Sequence, residues 1–412
     1  MNYGRAEALR ALPARRIAAA LADAATRWQD ADFPPRVRAT RALMERLAYT
    51  EPVVDYALDR LFGSISYAAI EQTIVSELGS LEALDGFVAR TGRPACFARG
   101  VELVSIVASD TTIGVALPPL LFALCAKAAV SVRDRADALL ASFAQTLSEE
   151  EPAFAHALTV HAFSERARAD QETARADVVI AFGSDATMQA LRAACKPQAR
   201  FIPFGHRTSI AYVPREALAD VQAARRHARG IALDALLYDG DGCLSLHAAF
   251  VERGGEVGPQ AFAELVAAAC DILAVEFPSA AGGLAESTAA YRDRAHFRAA
   301  QGEGAVYATR DKSHLIVFAP LRDEPPPLFA RALGIYPVDG PGDVLTYLRA
   351  QRLPLEGVAS PPTKRNDLLD AFAASGAARI TGLGELQNPP LTGNHGAVGR
   401  ITPFVSFITR DA

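Results

Sequence analysis

The sequence predicts an α/β protein of two domains, one built on a parallel sheet and followed by a second α/β section. Two observations lead there. From residue 101 onward, short β-rich runs (VELVSIVAS, KAAVSVR, DVVIAFG, ARFIPFG, TSIAYV) alternate with helical stretches such as DALLASFAQTL and DATMQALRAAC. That order belongs to a parallel sheet, whose ligands gather at the carboxyl ends of the strands. At 412 residues, with 50% apolar and 22% charged side chains, the chain is long for one core and apolar enough to fold throughout.

The elements follow in order. Residues 1–90 read as helices, from the apolar periodicity of ALRALPARRIAAALADAA and of the stretch from Val53 to Leu84. The most apolar run, IGVALPPLLFALCAKAAV, carries Pro118, Pro119 and Lys127 within the minimum length of a membrane span, so it is expected to be a buried loop and helix between strands. HARGIALDALLYDG reads as a helix stopped at Gly240, HAAFVE as a strand, and PQAFAELVAAACDILA as a helix opened by Pro259. HLIVFAP and ALGIYPVDG are strand-like, and GDVLTYLRAQ is helix-like. The domain boundary is placed near Gly230, dividing the chain into residues 1–230, 231–400 and a terminal strand at 401–412. RITPFVSFITRD is β-rich and apolar for a terminus, and is expected to pair, with another subunit as a candidate.

Several function classes are disfavoured. A formal charge of −5 leaves no basic excess to neutralise a phosphate backbone, which argues against nucleic acid. The five cysteines are odd in number and form no C-x-x-C pair, which argues against a disulfide framework or a zinc knuckle. The eight histidines form no ligand-spaced cluster, so no metal is expected. Glu7, Asp23 and Asp30 interrupt the Arg- and Ala-rich N-terminus, no signal-type apolar core follows, and a cytoplasmic location is expected.

Three stretches carry candidate chemistry. In VVIAFGSDATMQALR a buried strand delivers Gly183 and Ser184 to the start of a helix, where unpaired amides bind anions; the alternative is a plain N-cap on a tight turn. The strict G-x-G-x-x-G fingerprint is absent. In PFGHRTSIAYV a Gly-His-Arg turn joins two strands and, taken alone, reads as an exposed basic turn. The third is Cys243, which follows Asp239-Gly240-Asp241-Gly242 between a helix end and a strand, where a side chain can project into a cleft. A helix carboxyl end and two carboxylates disfavour its thiolate, so activation would come from elsewhere. Cys96, Cys125, Cys195 and Cys270 read as small buried hydrophobes, and His247 as an ordinary core or surface histidine.

The order of these pieces resembles the aldehyde dehydrogenase superfamily, and YDGDGCLSLHAAFVE and FGHRTSIAYV resemble its Lux-type fatty acyl-CoA reductases from about Val101 onward. The resemblance implies an aldehyde dehydrogenase-like fold, with a Rossmann-like nicotinamide domain within residues 1–230, a second α/β catalytic domain within 231–400, and assembly through terminal strands into a homo-oligomer. It implies that Cys243 is the nucleophile that accepts an acyl group from a thioester, that a reduced nicotinamide then delivers hydride, and that an aldehyde is released. Gly183, Ser184 and Gly205 match family glycine turns at the cofactor, and Arg133 stands where many members carry a Lys at the adenosine ribose. An arginine there suits a 2′-phosphate, so NADPH, or else NADH, is the expected cofactor.

Two departures stand out. Hydrolytic relatives carry a Glu that activates water where this chain has Pro203 and Phe204, which favours acyl transfer over acid formation. The family's oxyanion-hole Asn falls at or near Asp110, whose ionised carboxylate would repel a developing oxyanion; a protonated Asp110, Ser109 or Thr111 are the alternatives, with the Cys243 amide as a further donor. His395 in GNHGAVGRITPFVSF resembles the family's closing His-Asp-Gly region, with Gly396 in place of the Asp, and is a candidate catalytic residue lining the cleft. The leading expectation is an acyl-CoA or acyl-carrier thioester reductase, served by an acyl-activating synthetase partner. A cysteine acyltransferase or thioesterase without redox activity, and a silent partner of an acyl-activating enzyme, stand beside it.

Overall fold

The computed structural model describes residues 4–109, 112–134, 139–280, 286–308 and 313–411. The chain divides into two compact units: Met1–Leu47, Val54–His206 and Pro390–Ala412 form the first, and Ala48–Val53 and Arg207–Pro389 the second.

The first unit holds a five-stranded parallel sheet made of β3 (Leu103–Val107), β4 (Ala129–Arg133), β5 (Leu158–His161), β6 (Val178–Phe182) and β7 (Arg200–Phe204), in the order β5-β4-β3-β6-β7. Every residue of β6 is buried, as a strand covered on both faces requires. The chain winds outward from β3 and returns to β6, so the reversal lies between the carboxyl ends of β3 and β6, beside Ala108 and Gly183. The run around Pro118 and Pro119 is a helix, Leu117–Cys125, buried at every residue but Pro118 and set between β3 and β4 as expected. N-terminal helices pack here around Trp28, which is fully buried, packs tilted against Phe62 and edge-on against Phe143, and donates its indole N–H to Thr146 at 3.0 Å.

A separate three-stranded antiparallel sheet in the same unit joins β1 (Val88–Arg90), β2 (Arg93–Gly100) and β15 (Val405–Arg410). The expectation that the terminal strand pairs is met within the chain itself. Its partner is β2, in register from Val405↔Gly100 to Arg410↔Ala95, because residues 88–100, where no strands were foreseen, form a hairpin that offers an edge.

The second unit carries a seven-stranded sheet made of β8 (Thr208–Val213), β9 (Leu246–Glu252), β10 (Ala305–Ala308), β11 (Leu315–Phe318), β12 (Ala332–Val338), β13 (Leu355–Ala359) and β14 (Arg379–Thr381). Its order is β10-β11-β12-β9-β8-β13-β14, parallel except for the edge strand β10. Phe250, Tyr212, Tyr336, Tyr347 and Phe372 fill one face of this sheet.

The division differs from the boundary expected near Gly230. Gly230 lies inside the helix Val221–Leu236, and the units change over between His206 and Arg207, in the Gly-His-Arg turn itself. The glycine has a packing reason rather than a linker one: a Cβ there would lie 2.7 Å from the carbonyl carbon of Leu383. The chain after Pro389 returns to the first unit, so residues 390–400 do not belong with the second.

Candidate active site

In the first unit, β6 ends at Phe182 and is followed by Gly183, whose φ of 146° turns the chain into the helix Asp185–Ala194. Ser184 is its N-cap, with Oγ accepting the Thr187 amide at 3.3 Å, so capping is one role this serine fills. Asp185, in the first turn, accepts the His206 amide at 3.4 Å and lies 2.9 Å from where a Cβ on residue 205 would sit. Gly205 is therefore glycine because the Asp185 carboxylate closes over it. This carboxylate reaches the turn where the sequence offered only Pro203 and Phe204.

His395 rests on an aromatic platform at the ends of β6 and β7. Its ring stacks on Phe204 at 4.2 Å and lies 5.5 Å from Phe182, and the two phenyl rings stack on each other at 4.8 Å. Burial, with Arg400 beside it, lowers its pKa to about 3, so the imidazole is neutral at working pH. Arg133 ends β4 and is ion-paired with Asp170 at 2.6 Å. Asp110 and Thr111 lie outside the described residues. Ser109 and Thr112 line a small pocket together with Leu43, Leu47, Leu139 and Leu140.

In the second unit, the helix Val221–Leu236 runs into three successive left-handed residues, Tyr238 (φ 55°), Asp239 (φ 54°) and Gly240 (φ 77°). Two of them are not glycine, a costly backbone that persists only where surrounding contacts enforce it. The enforcing contact is Arg331, nearly fully buried, whose Nε pairs with Asp239 at 2.6 Å while another guanidinium nitrogen donates to the Phe277 carbonyl at 2.6 Å. Ser279 adds a bond to the same carboxylate at 3.1 Å.

Next in the chain come Gly242, Cys243 and Leu244, closed into a turn by the Ser245 amide donating to the Gly242 carbonyl at 2.9 Å. Cys243 is exposed there, at the amino end of β9 rather than at a carboxyl end. Cys96, Cys125 and Cys270 are buried as expected, whereas Cys195 is only half-buried. The thiols of Cys125 and Cys270 are pushed well up by burial. Of the two carboxylates counted against a Cys243 thiolate, Asp239 is ion-paired with Arg331 at 2.6 Å, and Asp241 is shifted toward its neutral form by desolvation first and then by the nearby Asp239 charge. His247 lies within β9 and is half-buried.

Three further residues shape this region, none of them among the candidates that the sequence singles out. Arg331 lies 92 positions from its partner Asp239. Gln387 donates its amide N–H to Ser245 Oγ at 2.9 Å, both residues being buried. Asp234 is fully buried and accepts the amides of Gly384 at 2.7 Å and Leu386 at 3.0 Å; burial raises its pKa to about 7. A usable signal existed only for Asp234, an acid set among apolar residues in GIALDALL.

Among the described residues, no group of three or more His, Cys, Asp or Glu is arranged to hold a metal ion. No helix there is long and apolar enough to cross a membrane.

Solved structures share the fold at low identity. Glyceraldehyde-3-phosphate dehydrogenase GapN from Methanocaldococcus jannaschii, solved with NADP, is 11% identical with a TM-score of 0.72, the match covering 99% of this chain and 92% of that one. Aldehyde dehydrogenase 21 from Physcomitrella patens, solved with succinate, is 12% identical with a TM-score of 0.71, covering 98% and 87%. A NAD-dependent benzaldehyde dehydrogenase from Corynebacterium glutamicum is 13% identical with a TM-score of 0.67, covering 99% and 88%. The fold is thus that of the aldehyde dehydrogenases. No curated protein matches the sequence at a significant level. The family profile described as acyl-CoA reductase (LuxC) matches residues 9–401, and the chain therefore belongs to that family of oxidoreductases on an aldehyde dehydrogenase-like fold.

Proposed function

We propose that this protein reduces an acyl thioester, carried on CoA or on an acyl carrier, to the aldehyde through a covalent acyl-Cys243 intermediate. The observation that carries this reading is the placement of Cys243, an exposed thiol on the Gly242–Ser245 turn, directly after a left-handed kink held by the Arg331–Asp239 pair. The Cys243 sulfur, as thiolate, attacks the thioester carbonyl, forms the new C–S bond and expels the carrier thiolate, which takes a proton from solvent. The Cys243 backbone amide is a candidate donor to the developing oxyanion, and Ser109 or Asp110 a candidate second one. Pro203 and Phe204 supply no carboxylate to activate water, and Asp185 is engaged with the His206 amide, which supports survival of the acyl-enzyme against hydrolysis.

The first unit fits a dinucleotide: its sheet reverses beside Gly183, and the helix beginning at Asp185 opens at that reversal. Gly183, Ser184, Gly205 and Arg133 would hold the cofactor, NADPH or NADH. When bound, the reduced nicotinamide supplies the hydride that, with the acyl–sulfur bond breaking, yields the aldehyde. A soluble cytoplasmic homo-oligomer fed by an acyl-activating synthetase completes the proposal.

A second reading, an acyltransferase or thioesterase without redox activity, draws on two observations: Arg133 is already paired with Asp170, and Ser184 is already used as a cap. Incubation with an acyl-CoA series and each reduced nicotinamide separates the two. Reduction predicts loss of dihydronicotinamide absorbance matched by aldehyde formed. Release of CoA with no aldehyde, under both cofactors, rejects it in favour of the second.

A further inference from the structure

The segment Gly384–Asn388 is anchored twice within the second unit. Asp234 accepts the Gly384 and Leu386 amides at 2.7 and 3.0 Å, and the Arg379 guanidinium donates to the carbonyls of Leu386 at 2.9 Å and Asn388 at 3.2 Å. Backbone tied on both its donor and acceptor sides holds its side chains in fixed places. The side chain it presents to the Cys243 turn is Gln387. Nε2 bonds Ser245 Oγ at 2.9 Å, and Oε1 lies 3.1 Å from where a Cβ on Gly242 would stand.

One amide group thus bonds one end of the turn, Ser245, and fills the space beside the other, Gly242, with Cys243 between them. Gln387 is 9% exposed and Ser245 3%, so water does not readily stand in for either group. The same contact explains why residue 242 is glycine: a methyl group would press on Gln387, Ser245 and Tyr238 at 3.1 Å each.

We infer that Gln387 is a positioning residue for the Cys243 thiol, fixing the Gly242–Ser245 turn so that the sulfur meets an incoming acyl carbon in one orientation. The inference rests on Cys243 being the nucleophile. Displacing a reacting group by about 1 Å costs on the order of a hundredfold in rate. A brace on the turn therefore appears in the rate of acyl transfer before it appears in binding.

The test uses the full chain and an acyl-CoA under single-turnover conditions, following the acyl adduct by quenched intact mass. Gln387→Met keeps the length of the side chain and removes its hydrogen bond; Gln387→Glu keeps an oxygen that accepts from the Ser245 hydroxyl. Expected for Gln387→Met is a fall of about ten- to a hundredfold in the saturated acylation rate, with little change in half-saturating acyl-CoA. Gln387→Glu should recover much of that loss while shifting the pH profile of iodoacetamide alkylation at Cys243 upward, because it places a negative charge beside the turn. Ser245→Ala added to Gln387→Met should cost nothing more. A folded Gln387→Met protein that acylates and alkylates at the unmodified rate overturns the inference. If Gln387→Met does not fold, Ser245→Ala decides the matter by the same two readouts. An adduct that still forms in Cys243→Ala instead refutes the nucleophile assignment, whatever Gln387 does.

Discussion

Arg331 holds Asp239 at 2.6 Å, and in doing so fixes a left-handed residue four positions ahead of Cys243. The pair has two jobs, one mechanical and one electrostatic. It holds the left-handed backbone at Asp239 that leads into the Cys243 turn, and it sets a cation against a carboxylate that would otherwise oppose the thiolate more strongly.

Replacing Arg331 by Met should therefore do more than loosen the fold. Breaking a buried ion pair by removing one partner typically costs about 3–5 kcal/mol. Asp239 is only partly buried, with a 16% exposed side chain, which places the expected loss at the lower end of that range. Urea denaturation measures it, and Asp239→Asn in the Arg331→Met background should return part of the loss. Alkylation of Cys243 at neutral pH should slow in Arg331→Met and recover in the double variant. Equal alkylation rates in all three proteins would mean that Asp239 does not influence the thiol.

Asp234 makes stability depend on pH in an unusual direction. Its carboxyl is raised by burial from 3.8 to about 7, against the pull of the Gly384 and Leu386 amides. Between those values the unfolded chain has released this proton and the folded chain keeps it, so the contribution to stability is full below pH 4 and declines as pH rises to about 7. The stability of the unmodified protein relative to Asp234→Asn should accordingly shrink across that window, read from urea midpoints at several pH values. A difference that is flat or grows would show that Asp234 is ionised in the folded state.

His395 titrates the other way. With its pKa depressed to about 3, the folded protein carries a neutral ring where the unfolded chain, at 6.5, gains a proton. That contribution is present above pH 6.5 and is lost as pH falls toward 3. A neutral ring gives no protonation step between pH 5 and 8. His395→Phe, which preserves the stack on Phe204, should leave the pH profile of acyl transfer unchanged in that range. Disappearance of a profile limb in this variant would restore His395 as an acid or base.

Much of the fold is legible in the sequence because it is written locally. Alternating β-rich and helical runs mark β3, β4 and β6 to β9, and Pro259 marks the start of its helix. The turn at Gly183, the cap at Ser184 and the exposed Cys243 are likewise local features. What escapes is set by distant partners. The hairpin of β1 and β2 has little apolar alternation, and the return of residues 390–412 to the first unit leaves no trace in composition. Gly230 looks like a linker residue until Leu383 is seen against it. Arg331, Gln387 and Asp234 bond partners 54 to 152 residues away, and no spacing rule connects them.

The most direct measurement is to react the protein with an acyl-CoA in the absence of any nicotinamide, quench, digest, and map the acyl adduct to a peptide. Cys243 is the predicted site, in one-to-one stoichiometry, with Cys125 and Cys270 unmodified until the chain is unfolded and with no adduct in Cys243→Ala. An adduct on another cysteine, or none on the folded unmodified protein, would contradict the account at its centre.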